Sequence, residues 1–206
     1  MLSQSVASEL REAISAGEFQ PGEQLSEVKA AERFHCSRNT LRESFTRLAA
    51  ERIVERIPNR GVFLAMPDAD YIRDLFAARA AIEPAAVRWG VFADAPSLVT
   101  LTSSAFDYAA RGEHQEVSAI NQRFHRTLVA ALGSPTLNEQ MDNLLARMRL
   151  TFLLAIPRYP QLHADHIQGN ITLATLIADG KRLEAATLAH DSLMNTCEKI
   201  LAVLDD

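Results

Sequence analysis

The chain has 206 residues and a mass of 22.7 kDa, which is enough for one large hydrophobic core and a smaller second one. Its 48% hydrophobic and 23% charged residues are typical of a folded globular protein, and no apolar run is long enough to cross a bilayer. Two cysteines are too few for a disulfide framework or a zinc ribbon. The first residues lack the apolar core of a secretory signal, so we expect a cytoplasmic protein of two domains without membrane contact.

The net charge of −5 is unevenly distributed. Residues 1–66 carry nine basic and nine acidic side chains, and residues 67–206 carry twelve and seventeen, which accounts for the whole excess. Between Ser37 and Arg60 there are six arginines and only three glutamates. A local concentration of arginine favours nucleic-acid binding even in an acidic chain.

The N-terminal part predicts three short helices. The first covers Ser3–Ala16, and Ser26 and Ser37 are suitable N-cap residues for the second and third. In the third helix an apolar stripe repeats at helical spacing, and the opposite side carries arginine and asparagine, which can bind base edges in a major groove. The alternative for this side is an ordinary solvated surface. The stripe is Leu41, Phe45 and Leu48; the polar side is Arg38, Asn39, Arg42 and Thr46.

A β-hairpin is predicted after the third helix. Ile53–Ile57 and Val62–Ala65 are rich in strand-forming residues, and Pro58-Asn59-Arg60-Gly61 between them is typical of a turn. Arg60 at its tip could contact a phosphate or a minor groove. Together, the helices and the hairpin predict a winged helix-turn-helix.

The predicted domain boundary lies at Met66-Pro67-Asp68, because proline ends the hairpin and Asp68 can cap a helix. The predicted domains are residues 1–66 and 67–206. All later segments have helical patterns. The predicted helices are Ala69–Val91, Ala95–Arg111, Glu113–Leu132, Pro135–Ile156, His163–Asp179 and Lys181–Leu204.

The residues from Val6 to Gly61 resemble the winged domain of GntR-family bacterial transcription regulators. The shared motifs are A-x-x-L-R-x-x-I-x-x-G-x-x-x-P-G-x-x-L-S-E, C-S-R-N-T-L-R-E-S-F-x-R-L and R-I-V-E-R-x-P-N-R-G. Leu75–Ala86 is similar to the opening R-x-x-x-E-x-x-A signature of the family's FCD branch. The resemblance implies a mainly α protein, in which three helices and a β-hairpin wing are followed by an all-α bundle for ligand sensing and dimerisation.

The resemblance also implies which residues contact operator DNA. The family's recognition-helix arginines and wing glycine correspond to Arg38, Arg42 and Gly61, and their neighbours are Ser37, Asn39, Thr40 and Arg60. The family commonly has an arginine where this chain has Val28, so the operator sequence and affinity are expected to differ.

The FCD branch usually binds a divalent metal through an aspartate and three histidines, and these positions correspond to Asn121, His125, Asn170 and Ser192. Neutral amide and hydroxyl groups are poor ligands, so we expect no tight metal site and no required cofactor. The alternative is a rearranged divalent-metal site that combines His125 with His166.

Without a metal, these polar side chains predict a small-molecule pocket inside the bundle. Arg79 suits a carboxylate effector, and its alternative is an ion pair with Glu83 four residues later. The candidate effector-binding residues are Arg79, Asn121, His125, Asn170, Ser192 and Asn195.

The predicted function is that of a ligand-responsive transcription regulator, a repressor by analogy with the family. It would bind a pseudo-palindromic operator as a homodimer and sense a small organic acid. The alternative is a metal-dependent sensor or a helical metalloenzyme-like domain built on His125. The chain lacks a G-x-S-x-G motif, a phosphate-binding glycine loop and paired E-x-x-H motifs, so we do not expect an enzyme.

Overall fold

The computed structural model describes residues 2–205, except for the side chains of Leu2 and His163. The described chain forms two compact units. The first extends to Asp68 and includes Leu145–Leu154, and the second contains Ala69–Leu144 and the chain from Ala155 onward.

The first unit is a winged helix-turn-helix, as predicted. Its sheet has the order β1-β3-β2, and all neighbouring strands are antiparallel. The prediction missed β1, because a two-residue strand is too short to show alternation. The elements are α1 (Leu2–Ser15), β1 (Gln24–Leu25), α2 (Glu27–Arg33), α3 (Arg38–Ala50), β2 (Val54–Ile57) and β3 (Gly61–Leu64).

Local contacts explain where the two helices of the motif begin. The Ser26 hydroxyl accepts a hydrogen bond from the backbone N–H of Lys29 at 3.4 Å, and Ser37 accepts one from Thr40 at 3.1 Å. These are the N-caps that the sequence predicts, and each satisfies a backbone donor that the helix leaves open. Between the helices, His35 has a φ of 46°, which lets the chain leave α2 and enter the turn.

The second unit is helical throughout the part that the structure describes. Its elements are α4 (Ala69–Trp89), α5 (Ala95–Ser103), α6 (Ala105–Ala110), α7 (His114–Ala130), α8 (Pro135–Ala155), α9 (Leu162–Ala178) and α10 (Arg182–Asp205). The C-terminal half of α8, Leu145–Leu154, belongs to the first unit. Among the described residues, no helix is both long and apolar enough to cross a membrane.

The prediction of one helix over Ala95–Arg111 is wrong, because the helix is interrupted at Ser104. The hydroxyl of Thr102 donates to the Leu98 carbonyl, and that of Ser104 donates to the Leu101 carbonyl. Such bonds compete with the helical backbone pattern, and the prediction gave this polar run too little weight.

The core of the second unit lies between α4, α5, α7, α9 and α10. One cluster of this core is built around Phe124 and Leu128 of α7, which are fully buried. A smaller cluster joins Ala105, Val117 and Ile167. These two clusters place the inner sides of α7 and α9 next to each other, which brings their polar residues together.

Candidate functional site

The N-terminal end of α3 is an exposed polar surface. Arg38 and Asn39 are exposed, and Thr40 is half-buried with its hydroxyl 2.8 Å from that of Ser37. The other side of the helix is anchored by Leu41, Phe45 and Leu48, which are fully buried. Packing therefore holds this helix with its polar residues towards solvent, as a groove-binding helix requires.

Arg42 forms an ion pair with Glu27, the first residue of α2. Its Nε lies 3.1 and 3.2 Å from the two carboxylate oxygens, and its Nη2 lies 3.0 Å from Oε2. The side chains of Arg42 and Glu27 are 59% and 35% exposed. The guanidinium is therefore held in one orientation and remains accessible.

Arg56 of β2 adds a contact that sequence reasoning missed. Its Nη2 donates to the backbone carbonyl of Arg42 at 2.7 Å, which links the wing to the recognition helix α3. Arg56 is exposed, so this surface has another cation near the predicted DNA contacts. The sequence feature that could have indicated Arg56 is its position in the basic stretch between Ser37 and Arg60.

The tip of the wing is a tight turn with positive φ angles at Asn59 (60°) and Gly61 (111°). Asparagine tolerates this backbone region and glycine favours it. The side chain of Gln24 donates to the Arg60 carbonyl at 2.7 Å, and the Arg60 guanidinium lies 5.5 Å from the centre of the Phe63 ring. The turn therefore presents Arg60 on a supported tip.

The second unit contains a buried charged cluster around Glu83. Arg79 Nε donates to Glu83 Oε1 at 2.6 Å, and His125 Nδ1 lies 2.6 Å from Glu83 Oε2. The side chains of Arg79 and Glu83 are 2% and 1% exposed. Burial alone would raise the pKa of Glu83, but the charges and hydrogen bonds of Arg79 and His125 lower it to about 2.

A second polar group connects α7, α9 and α10. Asn170 Nδ2 donates to Asn121 Oδ1 at 2.7 Å. His166 Nε2 lies 3.0 Å from the Thr196 hydroxyl, and His166 Nδ1 is hydrogen-bonded to the Leu162 carbonyl. Burial lowers the pKa of His166 to about 4, so this imidazole is neutral near pH 7.

The Asn121–Asn170 pair lines a narrow cavity of about 250 Å³, a volume that includes its part open to solvent. Most of the wall is apolar, and its polar side chains are Thr102, Asn121, His166 and Asn170. The lining residues are Thr102, Ala105, Val117, Ile120, Asn121, Phe124, His166, Ile167 and Asn170.

The cavity brings together only part of the predicted effector site. Asn121 and Asn170 line it, whereas Arg79 is bonded to Glu83, which is the ion-pair alternative that the sequence left open. Ser192 and Asn195 are exposed. His125 does not line the cavity and contacts Glu83 instead. Sequence reasoning missed Thr102 and Thr196, since a single threonine in a helix gives no distinctive signal.

Comparison with known families agrees with both units. Residues 2–64 match the family model described as bacterial regulatory proteins of the gntR family, and residues 74–194 match the FCD domain model. The chain belongs to the GntR family. It is a DNA-binding transcription regulator of the FCD branch, and its relatives are regulators rather than enzymes.

Individual GntR-family relatives cover much of the chain. The Nta operon transcriptional regulator of Aminobacter aminovorans is 26% identical over 90% of this chain and 88% of its own length. The galactonate operon transcriptional repressor of Escherichia coli is 28% identical over 66% of this chain and 69% of its own length. A crystal structure of a GntR-type transcriptional regulator from Rhodococcus has a TM-score of 0.82 at 29% identity, with 97% of each chain covered.

The side chains at the positions that correspond to the FCD-branch metal ligands have other partners or are exposed. The amides of Asn121 and Asn170 are bonded to each other, and Ser192 is exposed. Both ring nitrogens of His166 are hydrogen-bonded, so the rearranged pair with His125 would require those bonds to break. Among the described residues, no three histidine, cysteine or acidic side chains are grouped for metal binding.

Proposed function

We propose that this protein is a cytoplasmic, homodimeric repressor that binds a pseudo-palindromic operator and releases it on binding a small organic acid. The observation that carries the proposal is the exposed polar end of α3, beside a wing with a supported arginine at its tip. A two-fold dimer presents two such surfaces to half-sites about one helical turn apart.

The contacts of the first unit support a specific DNA contact for each of its exposed polar residues. Arg38 and Arg42 on α3 suit guanine edges, Asn39 suits adenine, and Arg60 suits a phosphate or the minor groove. Ser37 and Thr40 lie at the capped end of the helix, where short side chains and backbone N–H groups suit phosphate contacts. Gly61 lets the backbone of the wing approach DNA closely.

The cavity of the second unit supports a small effector that carries both hydroxyl and carboxylate groups. Asn121 and Asn170 provide amide donors and acceptors for such groups. The relative named for the galactonate operon points to the same chemical class, because galactonate is a polyhydroxylated carboxylate. Effector binding would open the Asn121–Asn170 bond and change operator affinity by about 1–3 kcal/mol.

A gel-shift titration at fixed salt tests DNA recognition. The probe is a duplex selected from a random pool by the full-length protein. We expect Arg38→Ala to weaken binding by about 1–3 kcal/mol and to relax the preference at one base pair. Arg73→Ala is the matched control, because Arg73 is an exposed arginine of the second unit, paired with Asp70. Equal affinities for the Arg38 variant and the wild type would contradict the proposed contact.

A thermal-shift screen with galactonate and other sugar acids tests effector sensing. A ligand at one hundred times its dissociation constant stabilises the native protein by about 2.7 kcal/mol, so a binding acid raises Tm. The variant Asn170→Leu should lose the shift, whereas Asn195→Leu, on an exposed part of α10, should retain it. A shift that is identical in the Asn170 variant would place the effector elsewhere.

A further inference from the structure

The Glu27–Arg42 pair has a distinctive geometry. Glu27 binds the side edge of the guanidinium, through Nε at 3.1 and 3.2 Å and through Nη2 at 3.0 Å. All three contacts leave Nη1 outside the pair. The end edge, formed by Nη1 and the outer N–H of Nη2, is the edge that an arginine uses when it approaches guanine O6 and N7 head-on.

The backbone of Glu27 is well placed to hold such an orientation. Glu27 is the first residue of α2, where the Ser26 hydroxyl caps the helix and Ala30 is buried in the unit's core. At the other end, the carbonyl of Arg42 accepts a bond from Arg56 at 2.7 Å. The start of α2 and the backbone of Arg42 are thus each held by contacts outside the ion pair.

We propose that Glu27 is a positioning residue that orients Arg42 for the recognition of one guanine in each operator half-site. The inference rests on the proposed operator contact of Arg42. A long arginine side chain loses rotamer freedom when it grips a base, and the Glu27 carboxylate imposes much of that order before DNA arrives.

The negative charge of Glu27 supports a role in discrimination between bases rather than in general affinity for DNA. A carboxylate close to DNA repels phosphates, so Glu27 lowers sequence-independent binding. Such a carboxylate benefits operator recognition only if it increases the difference in binding free energy between the correct base and the other bases. Because the pair is largely exposed, its contribution to folding is small, and DNA recognition can be tested without unfolding the protein.

The experiment measures base preference with full-length variants. Wild-type protein and Arg42→Ala first select duplexes from a random pool, and the guanine whose preference disappears in Arg42→Ala is the Arg42 contact. Dissociation constants are then measured for the wild-type consensus and for its three single-base substitutions at that position. Glu27→Gln removes the charge of the carboxylate, and Glu27→Asp keeps the charge but shortens the side chain by one methylene. The control Glu18→Gln removes another exposed carboxylate, which is paired with Arg33.

We expect both Glu27 variants to lose about 3–10-fold of the preference for that guanine, a part of the discrimination that a bidentate contact provides. Preferences at other positions should be retained. In the Arg42→Ala background, the Glu27 changes should have no further effect on base preference. Glu18→Gln should retain the wild-type preference at every position.

Two results would overturn the inference. One is an unchanged guanine preference in both Glu27 variants while Arg42→Ala loses it, which would leave the proposed Arg42 contact intact. The other is a sharper preference in Glu27→Gln, which would show that Glu27 competes with DNA for Arg42. If Arg42→Ala itself retains every wild-type preference, the proposed operator contact of Arg42 is wrong, and the positioning role falls with it.

Discussion

The two units place their arginine–glutamate pairs in opposite environments. In the first unit, Arg42 and Glu27 are 59% and 35% exposed; in the second, Arg79 and Glu83 are 2% and 1% exposed. Water screens the first pair, so it contributes little to stability. The second pair is shielded from water. If one partner were lost, the other charge would stay buried without hydration, which is strongly destabilising. Exposure thus separates an ion pair that water screens from one that is isolated in the interior.

The largest expected effect comes from breaking the buried pair. Arg79→Met retains much of the side-chain volume but leaves Glu83 with one charged partner fewer, and we expect a loss of about 3–5 kcal/mol in the free energy of unfolding. Urea denaturation followed by circular dichroism measures it. Arg73→Met, which breaks the exposed pair with Asp70, should cost less than about 1 kcal/mol. Similar losses in both variants would remove the contrast between buried and exposed pairs.

A pH titration of stability should detect the buried histidine. The folded-state pKa of His166 is about 4, below its ordinary value of 6.5, so the unfolded state binds a proton that the folded state does not. The stabilising effect of a neutral His166 is complete above pH 6.5 and is lost as pH falls towards 4, with a total of about 3 kcal/mol. His166→Gln should flatten this slope, and His190→Gln, at an exposed site, should not. A wild-type slope in His166→Gln would contradict the assignment.

The Glu83 cluster should add a second acidic limb, at lower pH than that of His166, to the plot of unfolding free energy against pH. The folded-state pKa of Glu83, about 2, lies below the ordinary value of 4.5. The contribution of the ionised Glu83 carboxylate to stability is therefore complete above pH 4.5 and is lost as pH falls towards 2. The limb should be smaller in Arg79→Met, because loss of the Arg79 charge raises the pKa of Glu83. Denaturation at a series of pH values below 4.5 separates this limb from that of His166.

Glycine substitutions should have smaller effects on stability, and these effects should be opposite in sign in the two units. Gly61 has a φ of 111°, so Gly61→Ala should destabilise the wing by about 1–2 kcal/mol through backbone strain. Gly169 lies in α9, where an added methyl group would meet open space, and Gly169→Ala should stabilise the helix by about 0.5–1 kcal/mol. Hydrogen exchange of the hairpin and of α9 measures each effect locally. Faster exchange in α9 of Gly169→Ala would contradict the second expectation.

The smallest effect on stability is expected at the recognition helix itself. Arg42→Ala should change the free energy of unfolding by less than about 1 kcal/mol, because its pair with Glu27 is exposed. The same variant should bind the selected duplex about 1–3 kcal/mol more weakly. A large loss of stability would show that Arg42 supports the fold, and the exposed pair would then resemble the buried one.

Local patterns predicted much of the fold correctly. The N-caps at Ser26 and Ser37 and the hairpin were predictable because capping and turn formation depend on residues a few positions apart. The helix break at Ser104 was missed, since it depends on hydroxyl–carbonyl bonds that a hydrophobic pattern does not show. Among the candidate site residues, the exposed side of α3 was predicted from its buried stripe.

Contacts between distant residues were beyond sequence reasoning. Arg79 suited a carboxylate effector and an ion pair with Glu83 equally well, and only the arrangement of α4 and α7 shows that Glu83 binds both Arg79 and His125. Likewise, the amides of Asn121 and Asn170 lie 49 positions apart and meet each other.

The sequence by itself determined the winged helix-turn-helix, the helical second unit and the exposed arginines of α3, because these depend on short-range periodicity, capping and turn chemistry. The tertiary structure decided which polar groups have partners: Arg42 with Glu27 on the surface, and Arg79 with Glu83 in the interior. The physical reason is that the strength of an ion pair and the pKa of a carboxyl group depend on burial and on neighbours from other helices. Residue type and spacing along one helix do not specify either of them.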